Sequence, residues 1–500
     1  MKYLFLVIIC FFQFSTCAQN NIEKQSDVEK VKETVDKATI EGHIYFLADD
    51  LLKGRETGTP ELQIAASYLA NTFRSYGVKP NPENGTYYQN IPLLKSTPSD
   101  KVKISINGKT MDKVALIRSA QVSHDSDALF LGYGLEEDYK NTDTKNKVVI
   151  VRAGGPNTND SRQAFRLRRQ KQELAKQNGV KTLIELLPTD ENMWNYVEHN
   201  FNTPKLEVPN NDEDSERSEL CHIWLLDTNG SLANNLSAAT SINTSLEISA
   251  PQQETIYTQN IIGVVEGSDP RLKEEYIIYS AHYDHVGIGT ADETGDVIYN
   301  GARDNAVGTT TVLSMAEHLS KYPTKRSALF ILFTGEEKGL IGSRYYVENP
   351  VIPLNQMVFC FNSDNAGYND TNLATIVGLP RTTAAKHITA AAKPFGITAV
   401  DDPAPEQGLF DRSDNVAFAR AGIPAPTYSL GFTAFNGDVT KYYHRPGDEA
   451  DTLDYDYLLK FFRSYVLAGR YIGDADETPF WTEGDKYFEA GKSLYKSKQP

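Results

Sequence analysis

Tyr276-Ile-Ile-Tyr-Ser-Ala-His282-Tyr-Asp284 is the stretch on which the reading of the whole chain turns. Its first six residues carry no charge, are rich in β-branched and aromatic types, and are too few for a helix. Such a run reads as a strand buried on both faces. Two polar groups follow at once, His282 and Asp284. The same form recurs twice: Ser327-Ala-Leu-Phe-Ile-Leu-Phe333 leads to Glu336-Glu337, and Met357-Val-Phe-Cys-Phe361 leads to Asn362-Ser-Asp364. Helical periodicity lies between them, from Thr309 to Ser320 and from Leu340 to Val347. Strands alternating with helices of this length predict an α/β fold, a mixed and mostly parallel sheet flanked by helices.

In an open parallel sheet, ligands bind outside the carboxyl ends of the strands. Three strands therefore bring His and carboxylate groups to one edge. Gly301-Ala-Arg-Asp304-Asn305-Ala-Val-Gly308 adds an acid before a helix, and Tyr443-His444-Arg-Pro-Gly-Asp448 adds a second imidazole. Taken singly these are ordinary features: a hydrogen-bonded His-x-Asp, a solvated Glu-Glu, an Asp capping a helix. Gathered at the ends of consecutive strands, the acids would repel one another without a cation. Mixed nitrogen and carboxylate donors suit zinc better than calcium, and no Cys-x-x-Cys pair offers an alternative set. Neighbours at an extended strand end point to opposite sides, so Glu337 is expected to reach metal while Glu336 stays free. Asp284 is expected to orient the His282 imidazole.

The rest of the 500 residues frames this core. A net charge of -16 argues against nucleic acid, whose phosphates call for a basic face. Lys2 and the apolar run Tyr3–Phe14 read as a signal peptide over residues 1–18, cut after Ala18. Ser15-Thr16-Cys17 reads alternatively as a degenerate lipoprotein box, with a lipid anchor at Cys17. Either way the chain is expected to be exported, to the periplasm, the medium or the outer membrane, and no later run is long enough to span a bilayer. Cys221 and Cys360 are the thiols left beyond the signal; Cys360, inside an apolar run, reads as a buried thiol on a strand. Domain boundaries follow from changes in pattern: 19–105 as the first part of the main domain, 106–252 as a β-rich insert, and 253–500 as the main domain with C-terminal helices.

These motifs also carry a resemblance. His282-x-Asp284, Ala302-x-Asp304-Asn305-x-x-Gly308, Gly335-Glu-Glu-x-Gly339-Leu-x-Gly342-Ser343, Asn362-x-Asp364 and Tyr443-His444-x-Pro446-x-Asp448, in this order, resemble the co-catalytic dizinc peptidases. That family includes bacterial leucyl-type aminopeptidases, glutamate carboxypeptidase and the transferrin receptor. The segment His43–Gly58 resembles the start of its bacterial members. The resemblance implies two Zn2+ per chain: Asp304 shared, His282 and Asp364 on one ion, Glu337 and His444 on the other. It implies Glu336 as general base, Tyr443 as oxyanion donor and a cis bond between Asp304 and Asn305. It also implies peptide substrates, an aminopeptidase reaction, and a protease-associated domain as the insert. Carboxypeptidase or dipeptidase activity, glutaminyl cyclization, and a non-catalytic receptor-like role are the alternatives within the same relatives. Two positions depart from the common pattern, Asn365 after Asp364 and Asn415 in Ser413-Asp414-Asn415.

Overall fold

Continuous apolar runs need cover on both sides, and the computed structural model supplies it. It describes residues 26–156, 161–209 and 220–496, so the expected signal segment and Cys17 lie outside the described residues. The chain divides into two compact units, one made of residues up to Ile91 together with Thr258–Pro500, the other of Pro92–Tyr257. These limits lie outside the 106–252 span expected for the insert. The reason is local: the long strands β1 (Tyr88–Thr97) and β2 (Gln252–Val265) carry the chain from one unit to the other without a break in pattern.

In the larger unit, β3 (Tyr276–His282), β4 (Ser327–Phe333), β5 (Met357–Ser363), β6 (Leu373–Val377), β7 (Thr398–Asp401) and β8 (Thr427–Leu430) continue the sheet. These eight of its ten strands run in the order β7-β6-β8-β5-β3-β4-β2-β1. The centre, β8-β5-β3-β4, is parallel, while β2 joins β4 and β6 joins β8 antiparallel. Alternation explains the unbroken apolar reading of the strands. Ala328, Phe330 and Leu332 of β4 face one buried cluster, and Leu329, Ile331 and Phe333 face another.

Helices form those two covers. The helix α1 (Pro60–Ser75) starts on a Thr59 cap with proline in its first turn. The helix α2 (Gly308–Lys321) is buried over most of its length, and α3 (Ile341–Glu348) follows β4. The helix α4 (Tyr455–Asp474), capped by Asp454, lays Tyr465 flat on Phe361 with ring centroids 4.4 Å apart. Gly469 permits this approach, because a Cβ there would lie 2.8 Å from Tyr279 and 2.7 Å from Met315. Among the described residues no helix is long and apolar enough to cross a membrane.

The smaller unit is more than the β-rich insert expected. Its eight-stranded sheet has a parallel run through Val122–Phe130, Val148–Arg152, Thr182–Leu187 and Cys221–Leu226. The helices Ser161–Gln177 and Glu191–Phe201 lie between those strands in sequence, so the centre is itself α/β. A fully buried polar network sits in it. Lys171 Nζ donates to Glu185 Oε2 at 2.7 Å, and the other oxygen of Glu185 meets His222 Nε2 at 2.8 Å and Trp224 Nε1 at 2.9 Å. Both body cysteines are free and buried, Cys221 in this unit and Cys360 on β5.

Candidate metal centre

The parallel register places the polar groups. His282 ends β3 opposite Phe333 of β4, and Ser280 lies opposite Asn362 of β5. The residues just past these strand ends therefore emerge side by side, as expected for the edge of a parallel sheet. Two adjoining donor groups result: His282, Asp304 and Asp364; and His285, Asp304, Glu337 and His444. Asp304 belongs to both. Its oxygens lie 3.3 Å from His282 Nε2 and 3.2 Å from His444 Nε2. Asp364 Oδ1 is 3.2 Å from His282 Nε2, and Glu337 Oε2 is 3.1 Å from His444 Nε2.

All five residues expected as ligands are thus brought together, and the peptide between Asp304 and Asn305 is cis. His285, which the motif reading passed over, joins them. Its ring is fully buried, Nδ1 lies 2.9 Å from Glu337 Oε1, and Nε2 has no hydrogen-bond partner. The signal for it was present, since His282-Tyr-Asp-His285 holds two imidazoles in one short segment.

The two glutamates diverge, but not along an extended strand. β4 ends at Phe333, Gly335 takes a φ of +69°, and Glu336 and Glu337 occupy the turn beyond. Asp284 holds that turn: its carboxylate accepts from Glu336 N at 3.1 Å, Glu337 N at 3.4 Å and Thr57 Oγ1 at 2.8 Å. Its carboxylate stands 3.7 Å from His282 Nδ1, whereas its backbone oxygen is 3.1 Å away. The side chain of Asp284 therefore fixes the Glu-Glu turn, and its main chain orients the imidazole. Glu337 turns to the two imidazoles. Glu336 lines the adjoining pocket with His282, Asp304, Asp364 and Tyr443, and the Tyr443 ring stacks on His444 at 4.0 Å.

Anchors from distant segments support this edge. Asp448 accepts from the backbone of Arg303 and Asp304 and from the Arg303 guanidinium at 2.9 Å, pinning the Asp304 loop. Arg55, buried and with a φ of +48°, donates to the carbonyls of Leu47, Tyr283, Asn300 and Gly301. Burial lowers its pKa to about 10, against the opposing pull of Asp284, Asp448, Asp304 and Glu337. Of the two departures from the family pattern, Asn365 bridges Asn305 and Leu430. Asn415 ties Phe410 to Ala425 through its amide.

Electrostatics follow from crowding. Burial works against charge on His282, yet Asp364 and Asp304 raise its pKa well above 6.5. Burial likewise opposes His444, and Asp304 and Glu337 raise it to about 10. Glu337 is held at about 2 despite burial and Asp304, by His285 and His444. Glu336 differs from its neighbour: burial first, then Asp364, Asp414 and Glu337, push it well above 4.5. Asp414, fully buried with neither oxygen hydrogen-bonded, is raised to about 7 by burial, with Asp364 and Asp284 adding to the effect. A buried cluster this rich in carboxylates calls for added positive charge. His444 Nε2 lies within ion-pair distance of two carboxylates yet has no aligned hydrogen bond, and the donors are nitrogen and oxygen only. These features fit divalent metal of the zinc type.

Residues 260–467 match the model of Peptidase family M28. The match covers 208 of the chain's 500 residues. Over 208 residues the chain is 30% identical to Aminopeptidase YwaD of Bacillus subtilis, covering 40% of this chain and 42% of that protein. It is 26% identical over 258 residues to Probable leucine aminopeptidase 2 of Aspergillus fumigatus, covering 46% and 47%. The matched stretch thus spans less than half the length of either curated relative. Among solved structures, an aminopeptidase from Aneurinibacillus sp. strain AM-1 has the same fold, with a TM-score of 0.60 and 21% identity over 90% of this chain and 97% of that one. A zinc aminopeptidase from Bacillus subtilis gives a TM-score of 0.52 at 18% identity, over 90% and 97%. All five motifs read from the sequence, from His282 to Asp448, fall within the part matched to Peptidase family M28.

Proposed function

We propose that the chain is a zinc-dependent exopeptidase that releases N-terminal residues from peptides. His282 and Asp364 would hold one ion, Glu337 and His444 the other, and Asp304 would serve both. Metal held there supplies Lewis acidity toward water and a peptide carbonyl. The observation that carries the reading is the division between the paired glutamates. Glu337 is committed to His285 and His444, while Glu336 faces the pocket. Glu336 takes the proton of the attacking water and returns it to the leaving amine. The Tyr443 hydroxyl, kept protonated chiefly by burial, would donate to the developing oxyanion. The aminopeptidase reaction is favoured because the relatives named above are aminopeptidases by name. Lys2 and the apolar run after it support export, which sequencing of the mature N-terminus tests.

Glu336→Gln and Glu337→Gln, measured side by side for zinc content and for hydrolysis of leucine p-nitroanilide, test the assignment. Glu336→Gln keeps two equivalents of zinc and loses roughly 100-fold or more in turnover. Glu337→Gln loses affinity for one ion. Full activity in Glu336→Gln would remove it as the base, and the opposite pattern of metal loss would exchange the two roles.

A further inference from the structure

The pocket beside the metal donors contains a charge that the proposed reaction does not use. Arg412 lines it, and among the described residues it is the one lysine or arginine that does so. It shares the pocket with Asp304, Glu336 and Asp364, yet it pairs with none of them. Its sequence neighbour Asp411 is turned away, engaged by Lys486 at 2.6 Å and by the Tyr487 hydroxyl at 3.1 Å. The backbone beneath Arg412 is held firmly. Its N–H donates to Leu409 O, Ser413 Oγ accepts from Asn362 Nδ2 at 3.0 Å, and the Asn415 amide ties Phe410 to Ala425. Val377, Leu409, Phe432 and Phe435 supply apolar wall around the same space.

These facts bear on what can fill the pocket. A substrate group entering between the apolar walls strips water from the guanidinium. A neutral side chain leaves that cation without a partner, and a basic side chain adds repulsion. A carboxylate satisfies the planar fork with two parallel hydrogen bonds, strengthened as water leaves. The Arg412 residue is exposed, so the selectivity arises only as an entering substrate displaces water from it, when an analogue lacking the carboxylate forfeits the pairing.

We propose that Arg412 binds a carboxylate of the substrate, so that the enzyme favours peptides bearing an anionic group beside the cleaved bond. This rests on the exopeptidase reading. The carboxylate comes either from an acidic N-terminal side chain or from the free C-terminus of a dipeptide.

Zinc-loaded full-length chain and its Arg412→Gln and Arg412→Lys variants would be assayed with glutamate and leucine p-nitroanilides, and with Leu-Gly and its C-terminal amide. The quantity read is the ratio of kcat/KM within each pair. In the unsubstituted protein one carboxylate-bearing member exceeds its neutral counterpart, and Arg412→Gln lowers that ratio by about 10- to 100-fold. Arg412→Lys, which keeps charge without the fork, lies between. A change confined to the p-nitroanilide pair assigns the side-chain carboxylate; one confined to the Leu-Gly pair assigns the C-terminal carboxylate and a dipeptidase. Ratios that are the same in all three proteins overturn the proposal. The same compounds titrated calorimetrically into zinc-loaded Glu336→Gln, with and without Arg412→Gln, separate the two layers. Carboxylate-selective binding that needs Arg412, found alongside an unsubstituted zinc-loaded protein that hydrolyses none of these compounds, would retain this inference and discard the peptidase reading.

Discussion

Replacing Lys171 by Met removes one member of the charge network buried in the smaller unit and leaves the others in place. The side chains of Lys171, Glu185 and His222 are all 0% exposed, so no water can take over the lost partner. Burial opposes charge on Glu185, yet Lys171 first, and His222 after it, hold the carboxyl at about 2 in place of 4.5. At neutral pH that difference corresponds to ~3 kcal/mol of folding stability. Removing one partner of a buried ion pair costs about 3–5 kcal/mol, because the remaining charge is stranded. The two figures agree, and Lys171→Met should destabilise the unit by that amount at pH 7. The sign with pH follows from the lowered value. The stabilisation is present above about 4.5 and is lost as pH falls toward 2, so the gap between the two proteins should narrow in that window. Tryptophan fluorescence during urea unfolding is a suitable assay. Trp194 and Trp224 are buried in this unit, and the one other tryptophan, Trp481, belongs to the larger one. Lys171→Met/Glu185→Gln, which removes the stranded charge but keeps an acceptor for His222 and Trp224, should recover most of the loss. A Lys171→Met transition within 1 kcal/mol of the parent, or a double variant no more stable than the single one, would refute the reasoning.

Two further outcomes are expected. His285→Ala should weaken the binding of one zinc ion by about 10- to 100-fold while sparing the other, because Glu337 loses the imidazole that orients it; chelator competition that finds both ions unchanged would rule this out. His43, flanked by the hydroxyls of Tyr68 and Tyr76, and His318, bonded to Thr34, are kept neutral by burial at about 4 and about 3. Their unfolded forms take up protons near 6.5, so stability falls as pH drops below that value, by about 1.4 kcal/mol per pH unit for each. His318→Gln should flatten the fall between pH 6.5 and 5, and an unchanged slope would exclude His318 as a source.

The central strands were legible because each is a continuous apolar run covered on both faces, which no surface strand or amphipathic helix imitates over seven residues. The donors were legible for a related reason: His282 ends such a run, Asp364 follows one directly, and the Glu336-Glu337 pair lies just beyond another. The geometry of Glu336 and Glu337 was not legible. Their separation comes from a turn that Gly335 opens and Asp284 clamps, not from strand alternation, and the clamp joins residues some fifty positions apart. Arg55 was hidden for the same reason. Its four carbonyl partners come from segments near residues 47, 283 and 300, and no local pattern encodes that convergence. In the smaller unit the helix Ser161–Gln177 lies in sequence between two strands of the parallel run. Its partner strands are short and separated by long connections, so their parallel order did not emerge from periodicity.

The two body cysteines bear on how this molecule meets oxidants. Burial pushes the Cys221 thiol up to about 11 and the Cys360 thiol up to about 12. The thiolate is the nucleophile that attacks peroxides and disulfides, and at these values it is scarce at both positions at any physiological pH. Neither sulfur belongs to the donor groups, so oxidation has no ligand to consume. Among the described residues, oxidants that act on exposed thiolates find no handle, whereas acid and chelators, which act on imidazole and carboxylate, do at the donor groups.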